Sequence, residues 1–298
     1  EVGIHTLYWH AIYKHNGADF FDLFGPVERS RKGDQLLMGY KDILIYDVPR
    51  QLSFNADVNL YSGLDTLPGA QDIRSAGHQL AVGKLGLDYT NIDHSLGAVD
   101  AETGYHVYGN LTGQYGKNQF FPRAMAGFDI GTPLNWNHAS VWLYTAAGIS
   151  GGNRNSPLRS FYFGAFGNNF VDDRDEKRYR DWDSFPGYRI DSIASRNFVK
   201  AVGELNLPPV RFADVGVPSF FLSSARTAVF AGVLESDPGA SDSHTAETAG
   251  AQVDFNFTVA VRLPLTLSFG YAKGLGGAGH RDELMASLKI LYTVAEGR

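Results

Sequence analysis

The sequence predicts an all-β protein, a transmembrane antiparallel β-barrel of about 12–16 strands with long extracellular loops and short periplasmic turns. Three observations lead there. Long segments alternate strictly between apolar and polar residues, the connections between them alternate between short and long, and no run of apolar residues is long enough for a membrane-crossing helix. A transmembrane strand needs about 9–11 residues, apolar toward lipid and polar toward the interior. Strands of soluble sheets average about 5–6.

The clearest segment is 252–263, where Val253, Phe255, Phe257, Val259, Val261 and Leu263 oppose Gln252, Asp254, Asn256, Thr258, Ala260 and Arg262. Pro264 is expected at a turn because it removes a ladder donor. Beyond it Leu265, Leu267, Phe269 and Tyr271 oppose Thr266, Ser268, Gly270 and Ala272. Residues 52–61, 123–130 and 284–292 alternate in the same way, with Asn55, Asp57, Asn59, Arg123, Asp129, Ser287 and Lys289 on their polar faces. Weaker patterns place further strands near 2–14, 34–46, 77–89, 95–110, 138–149, 159–167, 197–207 and 219–234. The total is about thirteen, and single-chain bacterial barrels carry even numbers of strands. The expectation is therefore about 12 to 14 strands here and about 16 in an intact protein.

The connections support the same layout. Residues 46–50 and 262–264 are short, whereas 14–33, 62–76, 168–196 and 235–247 are long and polar. The mixed-charge run 172–181 reads as a solvated loop. No linker, low-complexity tract or shift in composition divides the 298 residues, so one domain over 1–298 is expected.

Composition excludes several functions. There is no cysteine, hence no disulfide framework, thiol nucleophile or thiolate metal site. With 26 basic and 32 acidic residues the chain has no basic stripe, so nucleic acid is not an expected partner. The 20 Phe, 15 Tyr and 4 Trp suit an interfacial girdle, and Tyr8, Trp9, Tyr13, Phe20 and Phe21 cluster near one strand end as such a girdle would.

Residues 160–212 carry a recognisable set of motifs. Phe161-Tyr162-Phe163-Gly164-Ala165-Phe166-Gly167 is followed by Phe185-Pro186-Gly187-Tyr188-Arg189, then by Glu204-Leu205-Asn206-Leu207-Pro208-Pro209, with five strand candidates from 197 onward. In this the chain resembles the BamA-type surface-antigen superfamily of bacterial outer-membrane barrels. Asp22-Leu23-Phe24-Gly25-Pro26, Tyr46-Asp47-Val48-Pro49 and the stretch 61–68 are similar to a branch in which the barrel often follows a β-propeller, as the C-terminal part of a longer chain. The family's loop motif has Arg before Gly; here Pro186 holds that place and Arg189 follows the Tyr.

The resemblance implies a non-enzymatic barrel of the bacterial outer membrane that takes part in protein translocation or assembly. Its neighbours would be outer-membrane lipid, lipopolysaccharide and a periplasmic or surface protein, and it would need no cofactor. It also implies that loop 168–196 folds into the lumen, with Gly187 allowing a close turn, Tyr188 packing inside and Arg189 pairing with a wall carboxylate, Glu204 or Asp254. A non-conducting anchor for a partner or propeller domain is the alternative, and an outer-membrane lipid hydrolase a further one.

Other constellations are weaker. The spacing of His5, His10 and His15 puts successive imidazoles on opposite faces of one strand, so they do not converge on a metal. His78, His94 and His106 could serve a hydrolase, but no nucleophile elbow accompanies them. The Gly-rich stretch 274–280 and His280, Arg281, Asp282 and Glu283 read as a solvated loop tip.

Overall fold

The computed structural model describes residues 2–15, 33–63, 79–167, 171–172, 177–213, 215–217, 219–260, 262–276 and 279–290. These are all-β, and their main sheet is antiparallel apart from one two-residue strand, with two single-turn 3-10 helices at Pro157–Arg159 and Arg178–Arg180. No helix among them is long and apolar enough to cross a membrane. The motifs at 22–26 and 64–68, the residues Phe20, Phe21 and His78, and the end of the chain from 291 lie outside the described residues.

A hairpin, β1 (Val2–His5) and β2 (Trp9–Lys14), opens the sheet. A meander continues it through β3 (Asp34–Asp47), β4 (Arg50–Ser62), β5 (Leu80–Asp93), β6 (Thr103–Gly116), β7 (Gln119–Pro133) and β8 (Ser140–Ser150). The long connection that follows contains β9 (Phe161–Phe163), β10 (Val171–Asp172) and β11 (Ile193–Ser195). Next come β12 (Phe198–Asn206), the short β13 (Val210–Arg211) and β14 (Gly216–Val217), then β15 (Phe220–Ser236), β16 (His244–Val259), β17 (Leu263–Gly274) and β18 (Asp282–Ile290).

Neighbours in the sheet run from β1 to β8, then β12, β15, β16, β17 and β18; β13 and β14 pair with β15, and β10 lies parallel to β18. Among the described residues no pairing joins β18 to β1, so the described sheet is open where the sequence predicts closure.

Several expectations shift. The strand expected at 2–14 is a hairpin, because a turn at Thr6 brings Trp9 back beside it: Thr6 N donates to Trp9 O at 2.7 Å. His5 and His10 are therefore cross-strand partners with stacked rings 5.9 Å apart, not residues of opposite faces. The strand expected at 95–110 begins at Thr103. The candidate at 159–167 is not in the main sheet, since β9 pairs only with β11. Pro264 lies within β17 opposite Thr258, beyond the stretch of β17 that pairs with β18. The turn before it runs through Ala260 with φ 48°.

At the β16–β18 end of the sheet the faces are reversed relative to a soluble protein. On β16 and β17 the polar residues are the buried ones: Gln252, Asp254 and Ser268 are 0% exposed, whereas Phe269 is 47% exposed. On β18, Lys289 is 0% exposed and Leu284 83%. Strands β7, β8 and β12 bury Asp129, Ser140, Lys200 and Glu204 on a face that they share with the buried Met125, Trp142, Tyr144, Phe198 and Val202, and expose Phe128, Ile149 and Val199 on the other. What covers the polar face is the connection between β8 and β12. Its Phe161, Phe163, Phe185 and Tyr188 pack with Met125, Phe198 and Leu234, and its Phe166 and Tyr179 pack with Trp142, Val202 and Phe230. Phe163 meets Phe198 edge-on at 4.7 Å, and Tyr179 stacks on Phe230 at 4.1 Å.

One turn is set by local chemistry. Gly116 pairs with Gln119, so β6 and β7 are joined by Lys117-Asn118 alone, with φ of 53° and 58°. Left-handed conformation at both residues is the type I′ geometry whose twist matches the flanking strands. Asn118→Val should destabilise the hairpin by about 1–2 kcal/mol, because a β-branched residue is strained there, while Asn118→Gly should be neutral or better. Urea unfolding of the two variants beside the parent measures the difference.

Candidate functional site

The site is the contact between the β8–β12 connection and the polar face of β12–β18. Alternation places Phe198, Lys200, Val202, Glu204 and Asn206 of β12 on that face. A buried ammonium and a buried carboxylate require partners, and the connection supplies them. Lys200 Nζ donates to the carbonyl oxygens of Asp181 at 2.6 Å, Trp182 at 3.3 Å and Ser184 at 2.5 Å. Glu204 accepts two hydrogen bonds from Arg180, from Nε at 2.9 Å and from Nη2 at 2.6 Å. This fork is the strong, geometrically selective form of the ion pair. The guanidinium also lies over the Tyr144 ring, 5.3 Å from its centre.

The network reaches the connection between β5 and β6. Lys177 Nζ lies 2.6 Å from Asp100 Oδ2 and donates to Asn206 Oδ1 at 2.5 Å; Arg180 Nη2 lies 3.5 Å from the same Asp100 oxygen. Burial disfavours the Asp100 carboxylate, but Arg180 first and Lys177 next outweigh it and hold its pKa well below the usual value. Burial, helped by Arg180, lowers the pKa of Lys177.

The Phe185–Arg189 motif is held by the other end of the sheet. Gly187 has φ +87°, and a Cβ there would sit 2.3 Å from Gly274 N, so the close turn requires glycine. Gly187 N donates to Glu283 Oε2 at 2.8 Å, and Phe166 N donates to Glu283 Oε1 at 3.1 Å. Gly187 O accepts from Arg281 N at 2.8 Å, and Thr248 Oγ1 donates to Pro186 O at 2.5 Å. Tyr188 is fully buried, and its hydroxyl donates to the carbonyl oxygens of Glu247, at 3.0 Å, and Gly276.

The structure brings Gly187, Tyr188 and Glu204 into this contact but not Arg189, which is exposed. The cation on Glu204 is Arg180. Tyr188 and Ile190 turn inward, and the residue between them turns out. Asp254 is buried on β16, hydrogen-bonded by Gln252 at 2.7 Å, with Arg226 at 4.0 Å. The sequence reading missed Lys177, Arg180 and Glu283. The first two sat inside a charge run that resembles any solvated loop. Glu283 was placed in a solvated loop tip, although extending the 284–292 alternation by one residue puts it in phase with Met285, Ser287 and Lys289, the buried face.

Three of the described histidines, His94, His106 and His138, lack the geometry of a Ser–His–acid relay. His106 Nδ1 contacts Asp129 and Nε2 contacts Asp88, both at 2.9 Å. With a carboxylate on each ring nitrogen the imidazole has no nitrogen left to act as a base. His138 Nδ1 faces both Glu102 at 2.7 Å and Ser95 at 3.1 Å, whereas a Ser–His–acid relay needs the two nitrogens on separate partners. His94 shows only a backbone contact, from its N–H to Asp93. Among the described residues no group of three His, Asp or Glu stands where it could hold a metal ion.

Two outcomes follow from the ion network. Arg180→Ala leaves Glu204 buried beside a single more distant cation, and should cost about 3–5 kcal/mol and expose the connection to protease. Arg180→Met combined with Glu204→Leu should recover most of that loss, and Arg189→Ala should change neither reading. Asp100 has a folded pKa below its unfolded 3.8, so its contribution is fully present above that value and disappears only as pH falls further. Protease resistance of residues 177–184 should accordingly persist from pH 7 to about pH 4; loss near pH 6 would contradict the assignment. Compared with protein-family models and with curated proteins, the chain matches none.

Proposed function

We propose that this chain is a transmembrane β-barrel of the bacterial outer membrane, of the surface-antigen type it resembles in sequence, and that it takes part in moving or assembling polypeptides at that membrane. The observation that carries the reading is the reversed sheet, with a polar face buried against its own loop and an apolar face left exposed. In water that outer face would be costly, since burying one large aliphatic or aromatic side chain is worth about 1.5–3 kcal/mol, and soluble monomers seldom expose large contiguous apolar patches. In a bilayer the same face needs no cover.

Strand length supports the reading. Strands β3 to β7 have 13 to 15 residues, enough to cross a bilayer at a tilt. The connections 94–102, 134–139, 207–219 and 260–262 fall at one end of the strands, and the two-residue turn 117–118 and the long β8–β12 connection fall at the other. The inward-folded loop, anchored through Arg180 to Glu204 and through Gly187 to Glu283, would regulate passage by leaving or holding its place. The partners of this reading are outer-membrane lipid and lipopolysaccharide around the barrel, with a periplasmic or surface protein at its mouths.

A second reading, a non-conducting barrel that anchors a partner or a propeller domain, is favoured by the completeness of the loop's packing against β12–β18. The test that comes first is mobility on a detergent gel before and after boiling, using urea-washed outer membranes. A heat-dependent shift is expected. Extraction by urea without a shift would show that the sheet belongs to a peripheral or soluble protein. Planar-bilayer recordings then separate the two readings: Arg180→Ala should raise conductance several-fold in a regulated pore and leave an anchor silent.

A further inference from the structure

The loop covers only part of the polar face. On β15 to β18 the inward residues Gln252, Asp254, Ser268 and Lys289 are 0% exposed. On β3 to β6 the corresponding positions remain half-exposed, among them Gln35, Asn55, Asn59, Asn110 and Thr112. Their shared face is fixed by contact. A Cβ on Gly86 would lie 2.2 Å from Asn55 Oδ1 and 2.8 Å from Asn110 Oδ1. Asn110 Nδ2 in turn donates to Met125 Sδ at 3.3 Å, and Met125 packs among the loop aromatics. Gln35 Nε2 donates to Asn59 Oδ1 at 2.7 Å, and Asn55 Nδ2 to Asp57 Oδ2 at 3.0 Å.

The charged residues on this strip are two lysines, Lys41 and Lys84, two aspartates, Asp57 and Asp88, and His106, so with His neutral its formal charges sum to zero. Lys84 lies directly across from Asp57 in register, His10 Nε2 is 3.7 Å from Asp57, and His106 is clamped between Asp88 and Asp129. Around these charges the strip is lined by amides and hydroxyls, each able to donate and to accept. A strip with many such groups and no formal net charge suits a neutral solute rich in hydroxyls better than an ion of either sign.

We propose that the inner faces of β3 to β6 line a hydrophilic passage beside the inward loop, which admits small uncharged polyhydroxylated molecules while the loop stays in place. The proposal rests on the barrel reading and adds a solute class and a path to it. The loop is then a partial plug: it closes the β12–β18 side and leaves the β3–β6 side wet.

The absence of cysteine from the chain allows a clean test. Asn59→Cys places a lone thiol on the strip, and Val58→Cys places one on the opposite, exposed apolar face. Each variant is reconstituted in phospholipid vesicles beside the parent, treated with a cationic methanethiosulfonate reagent, and followed by osmotic swelling in neutral sugars of increasing size. Small sugars should enter with the parent protein and with both unlabelled variants. The Asn59→Cys thiol should react and swelling should then slow several-fold, while the Val58→Cys thiol should stay inert. Vesicles that admit no sugar, an inert Asn59→Cys thiol, or labelling without slowing would each overturn the passage even where the heat-dependent gel shift is present. Loss of that shift in the parent protein overturns the barrel reading and the passage with it.

Discussion

The structure depends on the burial of a polar sheet face, and every buried polar group on it needs a partner. The Arg180–Glu204 fork is the centre of that requirement. Glu204 has no access to water, so its charge is tolerable only because a guanidinium from the β8–β12 connection meets it with two hydrogen bonds. Lys200 poses the reverse problem, a buried cation, and is answered by three backbone carbonyls of the same connection. The connection is therefore part of the fold, because removing it would strand several charges at once.

The same contact explains why the connection folds so tightly despite its polar composition. Its aromatic residues enter the spaces left by small inward residues of the sheet. Phe161 and Phe198 meet where Gly148 has no side chain, and a Cβ there would lie 2.4 Å from Phe198. Glu283 then caps two amide groups of the connection that have no strand partner. Packing and hydrogen bonding thus select one position for the loop, and the position links the two ends of the strands: Asp100, from the connection between β5 and β6, meets Lys177 and Arg180 from the connection that starts at the opposite end.

The described sheet has two unlike halves. Toward β18 the polar face is buried, and Lys200, Glu204 and Glu283 on it meet the loop. Toward β3 the face is more accessible and carries amides, with two lysines and two aspartates among them. A single polar face thus provides an attachment surface on one side and a solvated surface on the other, and the difference lies only in which part the loop reaches.

By itself the sequence determined the all-β class, the approximate positions of most strands and which residues share a face. Alternation is a local property with a period of two, and Val253 and Gln252 cannot change faces without shifting the register of the whole strand. The resemblance carried by 185–189 and 204–209 also singled out Gly187, Tyr188 and Glu204, together with Arg189 and Asp254. What sequence could not decide was how far along the sheet the loop covers the polar face and which cation meets Glu204. Those depend on where a long loop comes to rest, and that is set by contacts between residues far apart in the chain, such as Arg180 with Glu204 and Gly187 with Glu283. The hairpin that stacks His5 on His10 was hidden for the same reason, since spacing along one chain does not report a turn that brings two residues back opposite each other. Only the tertiary structure separated Arg180, which faces the wall, from Arg189, which faces out.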